Sequence, residues 1–313
     1  MSTHPLKAGG YDLQSYGSLE ALIAAHRKNI SPEGSKKLAQ LAPHLSRDRD
    51  AHNRHAYRTD GAPGPSFASL IKTLPKDVLD PAEQSSLLDT DATSLLTKLK
   101  SGEVSAERVV RAAIARTQVA QEVLGCCSEI LEAQAISWAK ELDRKREAGE
   151  SLGALHGLPI SIKGHISLEG TTNCRGYVVD CLSPASLSNL KIESAEQAAL
   201  ISPGSVGKYV ADSTAPLVRA LLHAGAIVIA KTTMPQTVMH LDTTNNLYGQ
   251  TLNPYNLALS PGGSSGGESA MVACGASMLG LGTDIGEPHC AYEESPELII
   301  ILLQADQSVN HAQ

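Results

Sequence analysis

The sequence predicts an α/β protein, a sheet covered on both faces by helices. Two short apolar runs, "LPISIK" at 158–163 and "AIVIA" at 226–230, read as strands buried on both sides. The second follows directly on an amphipathic segment, "DSTAPLVRALLHAGA", which gives the helix–strand alternation of such sheets. Further on, "PGGSSGGESAMVACGASMLGLGTDIG" offers a Gly/Ser loop, a helix of small residues and another short strand.

Taken in chain order, residues 1–88 read as an N-terminal extension, partly loop. Within it, "HLSRDRDAHNRHAYRTDGAPGPS" carries His44, His52 and His55 without an acidic or Cys partner at ligand spacing, so it reads as a solvated loop. From residue 89 to 286 the pattern is that of one domain. "DATSLLTKLKSG" places Leu95, Leu96 and Leu99 on one helical face and stops at Gly102. Ser105 suits the N-cap of "AERVVRAAIARTQVAQEV", where Val109, Ala112, Ala113, Arg116 and Val119 follow the helical period. A third helix, "EAQAISWAKELDRKREAG", stops at Gly149, with Trp138 as a core anchor. After the strand at 158–163, the Ser- and Ala-rich stretch 182–206 breaks the rhythm. It is either a surface insertion or the translation of a retained intron. In the helix before the second strand, Pro216 sits in the first turn and Gly225 at the end.

At 313 residues the chain is long enough for one large domain or about two average ones. A content of 42% hydrophobic and 19% charged residues is that of a soluble globular protein. With one Trp, one Phe and eight Tyr, the core must be built from Ala, Leu, Ile and Val. The net charge of −7 argues against a nucleic-acid partner. The start, "MSTHPLKAGGYDLQ", lacks the apolar core of a secretory signal, and the apolar run "LIIILL" at 298–303 is far too short to span a bilayer. Cys126, Cys127, Cys174, Cys181, Cys274 and Cys290 show no paired metal-ligand spacing, and the adjacent pair suits neither zinc nor a disulfide framework. Free, mostly buried thiols in the cytoplasm, no membrane, no metal and no cofactor are the expectations.

Three features carry chemistry. Lys163 ends a buried strand, where burial disfavours its charged form and makes the amine a candidate base. Taken alone, a strand-end lysine reaching solvent or a carboxylate explains it better. "PGGSSGGES" at 261–269 surrounds Ser264 and Ser265 with four glycines, which suits a catalytic or anion-holding loop. It is not a P-loop: the Lys-Ser/Thr pair is missing, and Glu268 brings the wrong charge for phosphate. The turn "GTDIG" at 282–286 has the backbone of an oxyanion hole, but no serine stands on it.

Together, "LHGLPISIKGH", "GAIVIAKTTMPQ" and "LSPGGSSGGESAMVACGASMLGLGTDIG" resemble the amidase signature family, and the flow of 91–286 is similar to its fungal acetamidase-like members. The resemblance covers roughly two-thirds of the chain, in the expected order. It implies an α/β/α sandwich around a mixed sheet, and a Ser–cis-Ser–Lys triad that hydrolyses a small-molecule carboxylic amide to an acid and ammonia or an amine. In such a centre a serine attacks the carbonyl, a second serine after a cis peptide relays its proton to a neutral lysine, and water releases the acid. By resemblance the lysine is Lys163 and the relay serine Ser264. Ser265 supports the loop, and the oxyanion donors begin at Ile285 and Gly286.

The family turn continues with Gly and the nucleophilic Ser, where this chain has Glu287 and Pro288. A proline there removes a hydroxyl and a backbone N–H together. Gly164 also departs from the acidic residue that many members carry after the lysine. Beyond Gly286 the resemblance stops, so 287–313 reads as a non-family tail and the domain as incomplete at its C-terminus. A sheet cut short would expose an unpaired edge and favour aggregation. By resemblance the sequence thus supports an amide hydrolase as the family activity, with this chain itself expected to be inactive because Pro288 stands at the nucleophile position; a non-catalytic truncated fragment or pseudoenzyme is the alternative. A tRNA-dependent amidotransferase subunit is a third reading, which the fungal-type sequence at 91–181 disfavours. Substrate identity and oligomeric state are not legible.

Overall fold

In a computed structural model of the protein, the described residues are 66–72, 74, 76, 79–173, 175–178, 210–284 and the strand 298–303, with 18, 21, 24 and 25. The histidines at 44, 52 and 55, the 182–206 segment, Cys174, Cys181, Cys290 and positions 285–288 lie outside them.

Helix starts follow local capping chemistry. After α1 (Phe67–Ile71), α2 (Pro81–Leu88) begins with a proline behind Asp80, whose Oδ1 accepts from Ala82 N at 2.9 Å. Asp91 does the same for α3 (Ala92–Ser101), accepting from Ser94 N at 2.9 Å. Ser105 caps α4 (Ala106–Leu124) as expected, its Oγ accepting from Arg108 N at 3.2 Å. The first two amides of α4 have another partner: Asp143 of α5 (Glu132–Glu147) accepts from Ala106 N at 2.8 Å and Glu107 N at 2.9 Å. Gly125 ends α4 with φ 66°, the left-handed conformation that any side chain would resist.

The expected stripe of α4, Val109, Ala112, Ala113, Arg116 and Val119, is buried throughout. Arg116 is 2% exposed, its Nε donating to Gln84 Oε1 at 2.9 Å and its Nη1 to Asp89 Oδ1 at 2.8 Å and Gly275 O at 3.4 Å. It ties α2 to α4 and to the turn at 275. The expected boundary at residue 88 therefore falls inside a packed core, since Phe67, Leu74, Leu79, Leu87 and Leu88 are buried with the stripe. A helix of eight residues shows too little period in sequence to reveal that packing.

The two expected strands are β2 (Pro159–Lys163) and β3 (Ile227–Thr232), every residue of both buried. They form a five-stranded mixed sheet with β1 (Cys127–Ile130), β6 (Leu279–Asp284) and β7 (Leu298–Leu303), in the order β1-β3-β2-β6-β7. A two-stranded ribbon, β4 (Thr244–Asn245) with β5 (Gly249–Gln250), lies apart from it. β2 runs parallel to β3 and β6, so Lys163, Thr232 and Asp284 end three strands at one edge of the sheet. In open α/β sheets that carboxyl-end edge is where ligands bind. The helices α4, α5 and α7 (Gly266–Ala273) pack on the sheet, while α6 (Pro216–His223) leads into β3. Trp138 is half-buried against the core.

The run "LIIILL" is the edge strand β7, paired antiparallel to β6 from Asp284↔Leu298 to Leu279↔Leu303. The edge expected to be left open beside β6 is thus occupied by the segment read as a tail. Among the described residues no helix is long and apolar enough to cross a membrane.

Candidate active site

Lys163, Ser264 and Ser265 come together at the carboxyl end of β2. Lys163 is fully buried; its Nζ donates to Ser264 Oγ at 2.7 Å and to Thr283 Oγ1 at 2.9 Å and Thr283 O at 3.3 Å. The alternative of a strand-end lysine reaching solvent is overturned, because the loop before α7 and the end of β6 close over the amine. The peptide between Gly263 and Ser264 is cis. Ser265 holds the loop to β6 in both directions: its Oγ donates to Thr283 O at 3.1 Å and accepts from Thr283 N at 3.2 Å. Ile285, Gly286 and Pro288 follow β6 outside the described residues.

The Gly/Ser loop is braced from both ends by Thr243. Its Oγ1 donates to Gly262 O at 2.9 Å and accepts from Gly266 N at 3.0 Å. Asp242 adds a second brace by accepting from Ser260 Oγ. These contacts explain how a loop with four glycines keeps one conformation.

Sequence reasoning missed Thr283 and His165. Thr283 was read only as part of a turn, yet its hydroxyl is a second partner of Lys163. His165 lies half-buried beside it, Nε2 3.5 Å from Thr283 Oγ1 and Nδ1 3.2 Å from Met234 Sδ. The spacing Lys-x-His at a strand end was the one available signal.

Glu268, read as the wrong charge for a phosphate loop, does not face the loop. It is fully buried under it, with Oε2 2.5 Å from Ser161 Oγ and Oε1 2.8 Å from Thr232 Oγ1. Burial pushes its carboxyl up to about 8, against the pull of those two hydroxyls and of Lys163. The described thiols, at Cys126, Cys127 and Cys274, are free and buried. Burial pushes Cys274 up to about 12, and a hydrogen bond with Cys127 together with burial raises Cys126, so neither offers a thiolate nucleophile at neutral pH. Among the described residues no group of His, Cys, Asp or Glu side chains is arranged to hold a metal ion.

The arrangement sets a buried amine within hydrogen-bond reach of a hydroxyl, a pair between which a proton can pass. Similar chains carry the same region. A family profile described as Amidase matches residues 108–205 and 204–287. An acetamidase of Aspergillus oryzae is 36% identical over 211 residues, 67% of this chain and 34% of that protein. Amidase 2 of Gibberella moniliformis is 36% identical over 220 residues, 70% of this chain and 38% of its own length. Among solved structures, a fatty acid amide hydrolase superposes with a TM-score of 0.62 at 28% identity, covering 91% of this chain and 43% of that one. The chain thus spans well under half the length of the relatives it matches.

Proposed function

The chain belongs to the amidase signature family, and on that premise we propose that it carries the lysine–serine half of a centre that hydrolyses carboxylic amides to acid and ammonia or amine. The observation that carries this reading is the 2.7 Å bond between Lys163 Nζ and Ser264 Oγ in a fully buried setting. In the mechanism, Ser264 takes the proton of an attacking hydroxyl and passes its own to the lone pair of a neutral Lys163 amine, whose two N–H groups stay on Thr283. Thr283 and Ser265 hold the two groups in line. Because binding partners of the amine are preset, little reorganisation accompanies the transfer.

The attacking hydroxyl belongs at position 288, and a proline stands there. Loss of a serine nucleophile in a serine hydrolase costs about a millionfold in turnover, about 8 kcal/mol of barrier. The chain as it stands accordingly does not turn over amides, and its hydrolytic reading describes the family centre it retains in part. Its likeness to fungal amidases, one of them an acetamidase, favours a free-standing enzyme of that kind as the parent activity over an amidotransferase subunit. Ammonia release from acetamide and longer aliphatic amides tests this. The purified chain should match its own S264A variant at background, and release that S264A abolishes would overturn the loss of turnover assigned to Pro288.

A further inference from the structure

We propose that Glu268 is a positioning residue of this site, a buried carboxyl that acts on the Ser264–Lys163 pair by pinning the first turn of α7 across β2 and β3. Side chains two apart on a strand share a face, so Ser161 and Lys163 both project toward α7. One meets Glu268 at 2.5 Å and the other meets Ser264 at 2.7 Å. Ser264 stands four positions before Glu268, in the loop that leads into α7. The loop and the first turn of α7 are therefore attached to β2 at two points, Ser264 on Lys163 and Glu268 on Ser161, and the second sets where the first falls. Thr232, in register with Lys163 across the sheet, takes the other carboxyl oxygen.

The seat is built for a carboxyl. On β6, Gly280 leaves a gap that the group fills: a Cβ there would lie 2.5 Å from Glu268 Oε2 and 2.9 Å from Val272 Cγ2. An apolar side chain would hold a helix on a sheet at lower cost, because burying a carboxyl is favourable only with partners supplied. Hydroxyls both donate and accept, so Ser161 and Thr232 can keep their bonds to the neutral acid. The titratable groups that face Glu268 are Lys163 from β2 and Cys126 from the α4–β1 junction, while β3 and β6 offer Thr232 and Gly280. Held neutral, the acid keeps a negative charge away from Lys163, which would otherwise favour the ammonium form.

This inference rests on the reading that Lys163 and Ser264 are the reacting pair, but its test needs no turnover, so a failed hydrolysis result leaves it standing. Backbone hydrogen exchange over 262–270 and thermal stability are measured on the full chain at pH 6 and pH 9, for wild type, E268Q, E268A and S161A. The carboxyl is raised in the folded state, so its contribution is complete below its ordinary range and is lost as pH rises through about 8. Wild type should lose stability between the two pH values, and E268Q, which cannot ionise, should lose less while exchanging like wild type at pH 6. S161A should exchange about fivefold faster over 262–270, as expected for one lost hydrogen bond, and E268A faster still, with α4 and β3 unchanged. If E268A does not fold, S161A and E268Q decide. Unchanged exchange in S161A, equal pH dependence in wild type and E268Q, or loss of protection spread evenly into α4 and β3 would each overturn the positioning role.

Discussion

Substituting Gly280 by Ala puts a methyl group 2.5 Å from Glu268 Oε2 and 2.9 Å from Val272 Cγ2, inside van der Waals contact with both. The strand cannot retreat, because Gly280 is paired with Ser161 on one side and with Leu302 on the other. The carboxyl must move instead and give up its bond to Ser161. That loss costs about 1 kcal/mol, and overpacking adds about 1–3 kcal/mol. Urea unfolding should therefore show G280A destabilised by about 2–4 kcal/mol with an unchanged denaturant slope. The double-mutant cycle sharpens the test. In the E268A background the carboxyl's space is vacant and the Val272 side chain can shift into it, so G280A should cost under about 1 kcal/mol, a coupling of about 2 kcal/mol. If the two substitutions add, the carboxyl does not occupy the gap in β6, and the reasoning about the floor of the site is wrong.

Three further outcomes follow from the packing around the site. R116M leaves Gln84 Oε1 and Gly275 O without their donor, so chemical unfolding should show a loss of about 3 kcal/mol; a loss under about 1 kcal/mol would mean that α2 is not tied to α4 through this residue. D143A uncaps two amides of α4 and should cost about 1–2 kcal/mol by thermal denaturation, where no change would show that Ser105 suffices. His156 is 1% exposed, neither ring nitrogen has a partner among the described residues, and burial pushes its imidazole below the ordinary range. The folded state then binds a proton less readily than the unfolded one, so this contribution is present above the usual histidine range and is lost as pH falls below it. H156L should flatten the fall in melting temperature between pH 7 and pH 5, and an unchanged acid limb would refute the assignment.

The sequence made the strands at 158–163 and 226–230 legible because burial on both faces writes an unbroken apolar run. It made the α4 stripe and the Ser105 cap legible because both are local patterns. β1 escaped because "CSEI" is short and mixes a thiol, a hydroxyl and a carboxylate; its Glu129 is buried with Thr172 N and Oγ1 donating to it from 43 residues away. The Asp143 cap spans 37 residues and leaves no local mark. At the site, Lys163, Ser264 and Ser265 stood out by their surroundings of apolar strand and Gly-rich loop. Thr283 did not, since a threonine in a turn carries no signal until the sheet places it beside the lysine. Glu268 misled for a physical reason: charge in sequence says nothing of protonation, and burial holds this carboxyl far above its ordinary range. The edge strand β7 was passed over because a short apolar run names no partner, whereas β6 supplies a complete ladder.

A serine-directed phosphonate probe tests the central claim most directly, that Lys163 and Ser264 form the proton-handling pair of an amidase centre from which the nucleophile is missing. The wild-type chain should remain unlabelled. E287G/P288S, which restores the family turn, should become labelled at the substituted position, and K163A in that background should abolish the label. Labelling of the wild type, or labelling of the restored chain that K163A leaves intact, would contradict the account.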